Sequence, residues 1–81
     1  MTVRVVTPDG VAFEAEISYA NIPVPGGSVG ILNNHAPMLC AAEAGTARFT
    51  LADGSTVTKT IGKGAAHICN NEIILLVDTA E

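Results

Sequence analysis

The chain has 81 residues, of which 48% are hydrophobic and 15% are charged, and its formal net charge is -4. This length supports one domain, residues 1–81, and the composition excludes an intrinsically disordered chain. Four Lys and Arg residues against eight Asp and Glu residues argue against binding to nucleic acid or directly to an anionic membrane.

Alternation of apolar and polar residues with a period of two predicts β-strands along most of the chain. In residues 13–19, the four apolar side chains fall on one predicted face and the Glu and Ser side chains on the other. Similar alternation marks residues 46–51 and 56–61. The run 72–77, which is aliphatic after Glu72, is typical of a strand covered on both faces. No stretch shows a helical periodicity longer than two turns. The sequence therefore predicts an all-β sandwich or flattened barrel.

Turn signals separate these strands. Residues 8–10, 53–54 and 70–71 contain the Gly, Asn and Asp residues that tolerate a positive φ. The uncharged stretch 17–42 is interrupted by proline and glycine, which excludes a membrane helix, and no targeting sequence is visible. The mean hydropathy of +0.40 is high for a small domain and indicates an apolar contact face.

The last four residues, 78–81, resemble a helix start, because a capping Asp is followed three residues later by a Glu. No helix can follow within this sequence. The alternative is a short polar tail.

No motif for catalysis or cofactor binding emerges, and no cofactor is predicted. The glycine-rich stretches 26–30 and 62–64 lack the Walker pattern, so they are interpreted as turns. Glu14 and Glu16 share a strand face, where solvated carboxylates are the ordinary case. The chain is therefore predicted not to be an enzyme.

Two histidines and two cysteines leave a metal site or a thiol nucleophile as alternatives. His67 and Cys69 share one face of a predicted strand, whereas His35 and Cys40 lie on another segment. Their spacing matches no common zinc pattern, and the chain has no C-x-x-C motif.

Three segments together identify a family resemblance. Residues 6–14 (VTPDGVAFE), 30–39 (GILNNHAPML) and 78–81 (DTAE) occur in an order and spacing similar to those of the N-terminal domain of the epsilon subunit of F-type ATP synthase. The resemblance covers essentially the whole chain. It implies a flattened sandwich of about ten short strands, without the helical hairpin that follows this domain in the family.

The resemblance also implies a function. The domain would be a non-catalytic part of the rotor, linking the gamma subunit to the c-ring in proton-driven ATP synthesis. It would lie at the cytoplasmic face of the bacterial inner membrane, reach the membrane only through the c-ring and need no homo-oligomer. By position, the gamma side would comprise Thr7, His35, Ala36, Pro37, Met38, Leu39 and Cys40. The c-ring side would comprise Gly26, Gly27, Ser28 and Val29.

Three residues depart from the family pattern: Ser28 stands where relatives often have Glu, Asn33 replaces a usual Pro, and Cys40 replaces Thr or Ala. If the resemblance holds, Met38→Asp should weaken gamma binding with little change in the fold.

An alternative function comes from a different class of proteins. The chain could be a lipoyl- or biotinyl-like carrier domain that exposes Lys63, between two glycines, at a hairpin tip.

Overall fold

The computed structural model describes residues 1–81 and contains eight β-strands and no helix. The strands are β1 (Thr2–Thr7), β2 (Gly10–Val24), β3 (Gly27–Leu32), β4 (Met38–Ala42), β5 (Gly45–Leu51), β6 (Thr56–Ile61), β7 (Gly64–Cys69) and β8 (Glu72–Val77). The all-β prediction is confirmed. There are eight strands instead of about ten, and one of them, β2, is a continuous strand of 15 residues.

The strands form two layers that share β2. The front sheet has the order β4-β7-β8-β1-β2 and uses the first half of β2. The back sheet contains β3, β5, β6 and the second half of β2. Strands β1 and β8 are parallel, and the other named pairs are antiparallel. The chain thus encloses one core between two sheets without needing a long crossover.

One cluster of 16 buried residues fills the space between the sheets, and it contains no polar or charged residue. Val5 and Leu75 enter it from the front sheet, and Ile22, Ile31 and Phe49 enter it from the back sheet. The ring of Phe49 stacks on another aromatic ring with centroids 5.5 Å apart. Burial of these apolar side chains stabilises the domain.

The alternation in β2 changes phase where the strand passes from one sheet to the other. The register with β5 shifts between Ile17 and Tyr19, and the buried positions beyond it are Ala20 and Ile22. The prediction that Tyr19 shares the apolar face was therefore wrong. Its ring lies outside the sandwich over Gly30, where a Cβ would come within 2.7 Å of the tyrosine hydroxyl.

The predicted turns are confirmed at three hairpins. Residues 8–9 connect β1 to β2, and residues 52–55 connect β5 to β6. Asn70 and Asn71 connect β7 to β8 with φ values of 53° and 60°. Two consecutive positive φ angles are typical of a type I′ turn, whose twist matches the adjoining strands.

Residues 78–81 do not begin a helix. Ala80 forms an antiparallel bridge with Ile61, and Glu81 and Thr60 exchange two backbone hydrogen bonds of 2.8 and 2.9 Å. The extended segment lies along β6, so its backbone groups are used for pairing. No membrane-spanning helix is found in this fold.

Candidate functional site

Large apolar side chains are exposed mainly on one surface, the outer face of the front sheet. Val11, Leu39 and Leu76 have exposed fractions of 57%, 73% and 50%, and all three lie on this face. The fourth exposed large apolar residue, Leu32, lies on the back sheet. The apolar face that the hydropathy predicted is therefore present on the front sheet.

Strand register organises this face into rows. One row crosses all five strands and contains only aliphatic side chains. Its members are Ala41, Ala65, Leu76, Val6 and Val11. Contiguous apolar surface of this kind marks interaction sites on soluble domains.

The next row combines apolar and charged side chains. Leu39, His67 and Ile74 are neighbours on β4, β7 and β8. The row continues to Arg4 and Glu14, whose guanidinium and carboxylate groups are joined by two hydrogen bonds of 3.0 and 3.1 Å. The prediction that run 72–77 is covered on both faces was wrong for this chain, since Ile74 is only half-buried and Leu76 is half-exposed.

The polar end of the face lies beside the chain's amino terminus. The Met1 amino group donates to Glu16 Oε1 at 2.8 Å, and the Thr2 hydroxyl donates to the other carboxylate oxygen at 3.0 Å. The hydrogen bond from the amino group, followed by that from Thr2, lowers the pKa of Glu16 below its ordinary value. Cys69 and Glu72 lie in the same row on β7 and β8.

The predicted gamma-side segment alternates between the two sides of β4. Leu39 points outward, while Met38 and Cys40 are half-buried and pack against the core. The expectation that Met38→Asp would leave the fold almost unchanged does not fit this packing. Of the three neighbouring residues, Leu39 presents the most exposed side chain.

The remaining predicted gamma-side residues lie at opposite ends of the front sheet. His35 is half-buried in the turn before β4, where its Nδ1 donates to the Ala36 carbonyl at 2.7 Å, and Pro37 is exposed beside it. Thr7 ends β1, and its hydroxyl accepts from the Asp9 amide at 3.2 Å. The outer face of the front sheet spans the distance between these two groups.

The predicted c-ring residues form the tip and first residues of a hairpin. Val24 pairs with Gly27 across the turn between β2 and β3, and Gly26 there has a φ of 87°. A Pro-Gly turn with this angle at the second position is type II, a conformation that favours glycine. Ser28 is exposed and accepts from Asn21 Nδ2 at 3.3 Å, whereas Val29 packs against the core.

The alternatives find little support in this geometry. Lys63 lies in the connection between β6 and β7, which belong to different sheets, so it is not at a hairpin tip. Its ammonium lies 3.8 Å from a Glu43 carboxylate oxygen. His67 and Cys69 share the outer face of β7, as predicted, and no group of three His, Cys, Asp or Glu side chains is placed to hold a metal ion.

The sequence alone did not indicate the aliphatic row. Of the large exposed apolar side chains on the outer face, only Leu39 was predicted to be a contact residue. A signal was available, since an aliphatic residue at every position of 73–77 means that one face of that strand needs cover from elsewhere.

The family described as "ATP synthase, Delta/Epsilon chain, beta-sandwich domain" matches residues 1–81. The ATP synthase epsilon chain of Synechocystis sp. is 41% identical over 81 residues, which are all of this chain and 59% of that protein. The epsilon chain of Desulfitobacterium hafniense is 35% identical over 80 residues, which are 99% of this chain and 60% of that protein. The chain thus spans about 60% of the length of these relatives.

Solved structures are similar in fold. A chain in the Euglena gracilis mitochondrial ATP synthase superposes with a TM-score of 0.90 at 17% identity, covering 98% of this chain and 51% of that one. A chain in the central stalk and c-ring structure of the Tetrahymena thermophila mitochondrial ATP synthase superposes with a TM-score of 0.80 at 15% identity. The superposition covers 100% of this chain and 65% of that one. At these identities the likeness shows the fold.

Proposed function

This chain belongs to the ATP synthase delta/epsilon chain β-sandwich family, and from that membership we propose that it is a non-catalytic rotor element of an F-type ATP synthase. In this role it binds the gamma subunit through the outer face of the front sheet. It approaches the c-ring through the β2–β3 hairpin. It does not carry out chemistry itself but transmits rotation between proton flow and ATP synthesis.

The observation that carries this proposal is the aliphatic row across the front sheet. Ala41, Ala65, Leu76, Val6 and Val11 form a surface that an isolated domain has no reason to keep apolar. Permanent interfaces are more hydrophobic than ordinary protein surfaces. The row also lies between the two groups that the family resemblance assigns to gamma.

The β2–β3 hairpin supports the second contact. Its tip, Pro25–Gly26, and the following residues Gly27 and Ser28 are exposed and uncharged. They belong to the back sheet, so a partner on the outer face of the front sheet leaves them free. The c-ring contact would place the domain peripherally on the membrane, at the cytoplasmic face of the bacterial inner membrane.

Binding to an ATP synthase gamma subunit tests the first contact. Leu39→Asp is expected to weaken binding at least about tenfold, because it places a charge in a desolvated apolar interface. Leu32→Asp is the matched control, since Leu32 is similarly exposed, at 63%, but lies on the back sheet. Calorimetric titration gives both dissociation constants. Equal weakening by the two variants, or none by Leu39→Asp, would contradict the proposed surface.

Photo-crosslinking in a complex of this chain with gamma and the c-ring tests the second contact. A photoreactive residue at position 28 is expected to crosslink to the c-ring. The same residue in place of Thr56, on the back sheet at the far end of β6, should not. Crosslinking of position 28 only to gamma would reject the hairpin assignment.

A further inference from the structure

A cleft opens on the outer face of the front sheet at its polar end. It has a volume of about 280 Å³ and lies over the β7–β8 hairpin. Its lining residues are His67, Cys69, Asn70, Glu72 and Ile74. The volume falls just below the range of about 300–1,000 Å³ that is usual for small-molecule sites. A cleft of this size suits a single inserted side chain.

Polar groups in this cleft have no partner within the chain. The domain has two half-buried carboxylates, Glu43 and Glu72. Glu43 lies beside the Lys63 ammonium, whereas Glu72 forms neither a hydrogen bond nor an ion pair. Other acidic groups on the same face are paired, Glu14 with Arg4 and Glu16 with the amino terminus. A partly desolvated, unpaired carboxylate attracts a cation.

The shape and chemistry of the lining distinguish between cations. Ile74 supplies an aliphatic wall for the stem of a long side chain, and the His67 ring supplies a flat surface. Asn70 adds a carboxamide to the same lining. A planar guanidinium can donate two hydrogen bonds to a carboxylate and stack on a ring, whereas an ammonium cannot stack in this way.

We propose that this cleft receives an arginine side chain of the subunit that covers the outer face, with Glu72 as its counter-ion. The inference rests on the proposed function, because the cleft is continuous with the apolar face through Ile74 and Leu76 on β8. The arginine fixes the register of the partner on an apolar surface that by itself is non-directional.

The test compares Glu72→Gln with Glu81→Gln in titrations against the gamma subunit. Both variants remove one negative charge, but Glu81 pairs with β6 at the edge of the back sheet. We expect Glu72→Gln to weaken binding about 30-fold or more, because the partner's guanidinium would be buried without its counter-ion. Glu81→Gln should bind like the unmodified chain. Equal affinities for all three proteins would overturn the proposal.

Arginine is identified by a double-mutant cycle. Each arginine and each lysine of gamma is replaced by Gln in turn and titrated against the unmodified chain and Glu72→Gln. One replacement is expected to make the Glu72→Gln loss disappear. Coupling to a lysine, or to no single residue, would reject an arginine in the cleft.

Alkylation of Cys69, which lines the cleft, gives an independent measurement. Bound gamma should slow alkylation of Cys69 at least tenfold relative to the free chain. Unchanged labelling of Cys69 in a verified complex would overturn the cleft assignment. Failure of the unmodified chain to bind gamma would instead overturn the proposed function, and this inference with it.

Discussion

The amino group of Met1 donates a hydrogen bond to Oδ1 of Asn33 across 3.0 Å and thereby ties the start of β1 to the β3–β4 turn. The same amino group donates to Glu16 Oε1 and to the Ile17 carbonyl. At the position of Asn33 the family resemblance implies a proline. The carboxamide gives this chain a contact that proline could not make.

Asn33→Ala is expected to lower the free energy of unfolding by about 1 kcal/mol, because it leaves the charged amino group with one acceptor fewer. Urea unfolding measures this change. Acetylation of Met1 removes the charge, so the loss caused by Asn33→Ala should shrink in the acetylated chain. An undiminished loss would show that Asn33 acts on the turn and not through Met1.

Stability should fall on acidification in part through Glu16. Its pKa in the folded chain lies below the ordinary value of 4.5, so its contribution is complete above that value and is lost as the pH falls through the folded pKa. Urea unfolding at pH 6 and pH 3 should show a smaller acid loss for Glu16→Gln than for the unmodified chain. Asp53 has a pKa lowered by hydrogen bonds from Ser55 and contributes with the same sign. An unchanged acid loss in Glu16→Gln would contradict this linkage.

Aspartate substitutions at two neighbouring positions of β4 should differ in their effect on stability. Met38→Asp is expected to destabilise the fold by about 2 kcal/mol or more, because it places a carboxylate against the core. Leu39→Asp should leave the melting temperature nearly unchanged, since that side chain is 73% exposed. Thermal unfolding followed by circular dichroism compares the two. If the Met38→Asp variant keeps its melting temperature, Met38 does not contribute to the core and is instead available for the interface.

Two glycines should differ sharply in their tolerance of a methyl group. A Cβ at Gly64 would collide with the backbone carbonyl of Leu76, so Gly64→Ala should cost about 3 kcal/mol. A Cβ at Gly30 meets only the outer end of the Tyr19 side chain, which can rotate away. Gly30→Ala should therefore cost less than about 1 kcal/mol. Similar melting temperatures for the two variants would show that the β7–β8 pairing adjusts easily.

The sequence predicted the strands best where one face is buried by the chain itself. Alternation in 46–51 and 56–61 corresponds to β5 and β6, and the turns followed from residues that accept a positive φ. The phase change near Tyr19 was not predictable, because it accompanies the pairing of β2 with β5, a strand distant in sequence. The helix signal at 78–81 was local, and backbone pairing with β6 overrode it.

The candidate surface was only partly predictable for a related reason. Aliphatic residues at 74 and 76 look the same in sequence whether their own chain or another protein covers them. Strand register was needed to show that Val6, Val11 and Leu76 meet in one row. The resemblance named the neighbouring segment 35–40, but it could not distinguish outward Leu39 from inward Met38.

Strand β2 gives the domain a direct mechanical path between its two proposed contacts. At about 3.3 Å per residue, its 15 residues would extend about 50 Å if straight, yet the longest extent of the domain is 27 Å, so the strand curves around the core. It begins beside Val11 on the outer face and ends at the hairpin tip that contains Gly26. A torque applied at one contact would reach the other through the covalent backbone of β2. This transmission does not depend on side-chain packing between the two sheets. Stiffness along this path would then survive substitutions that loosen the core.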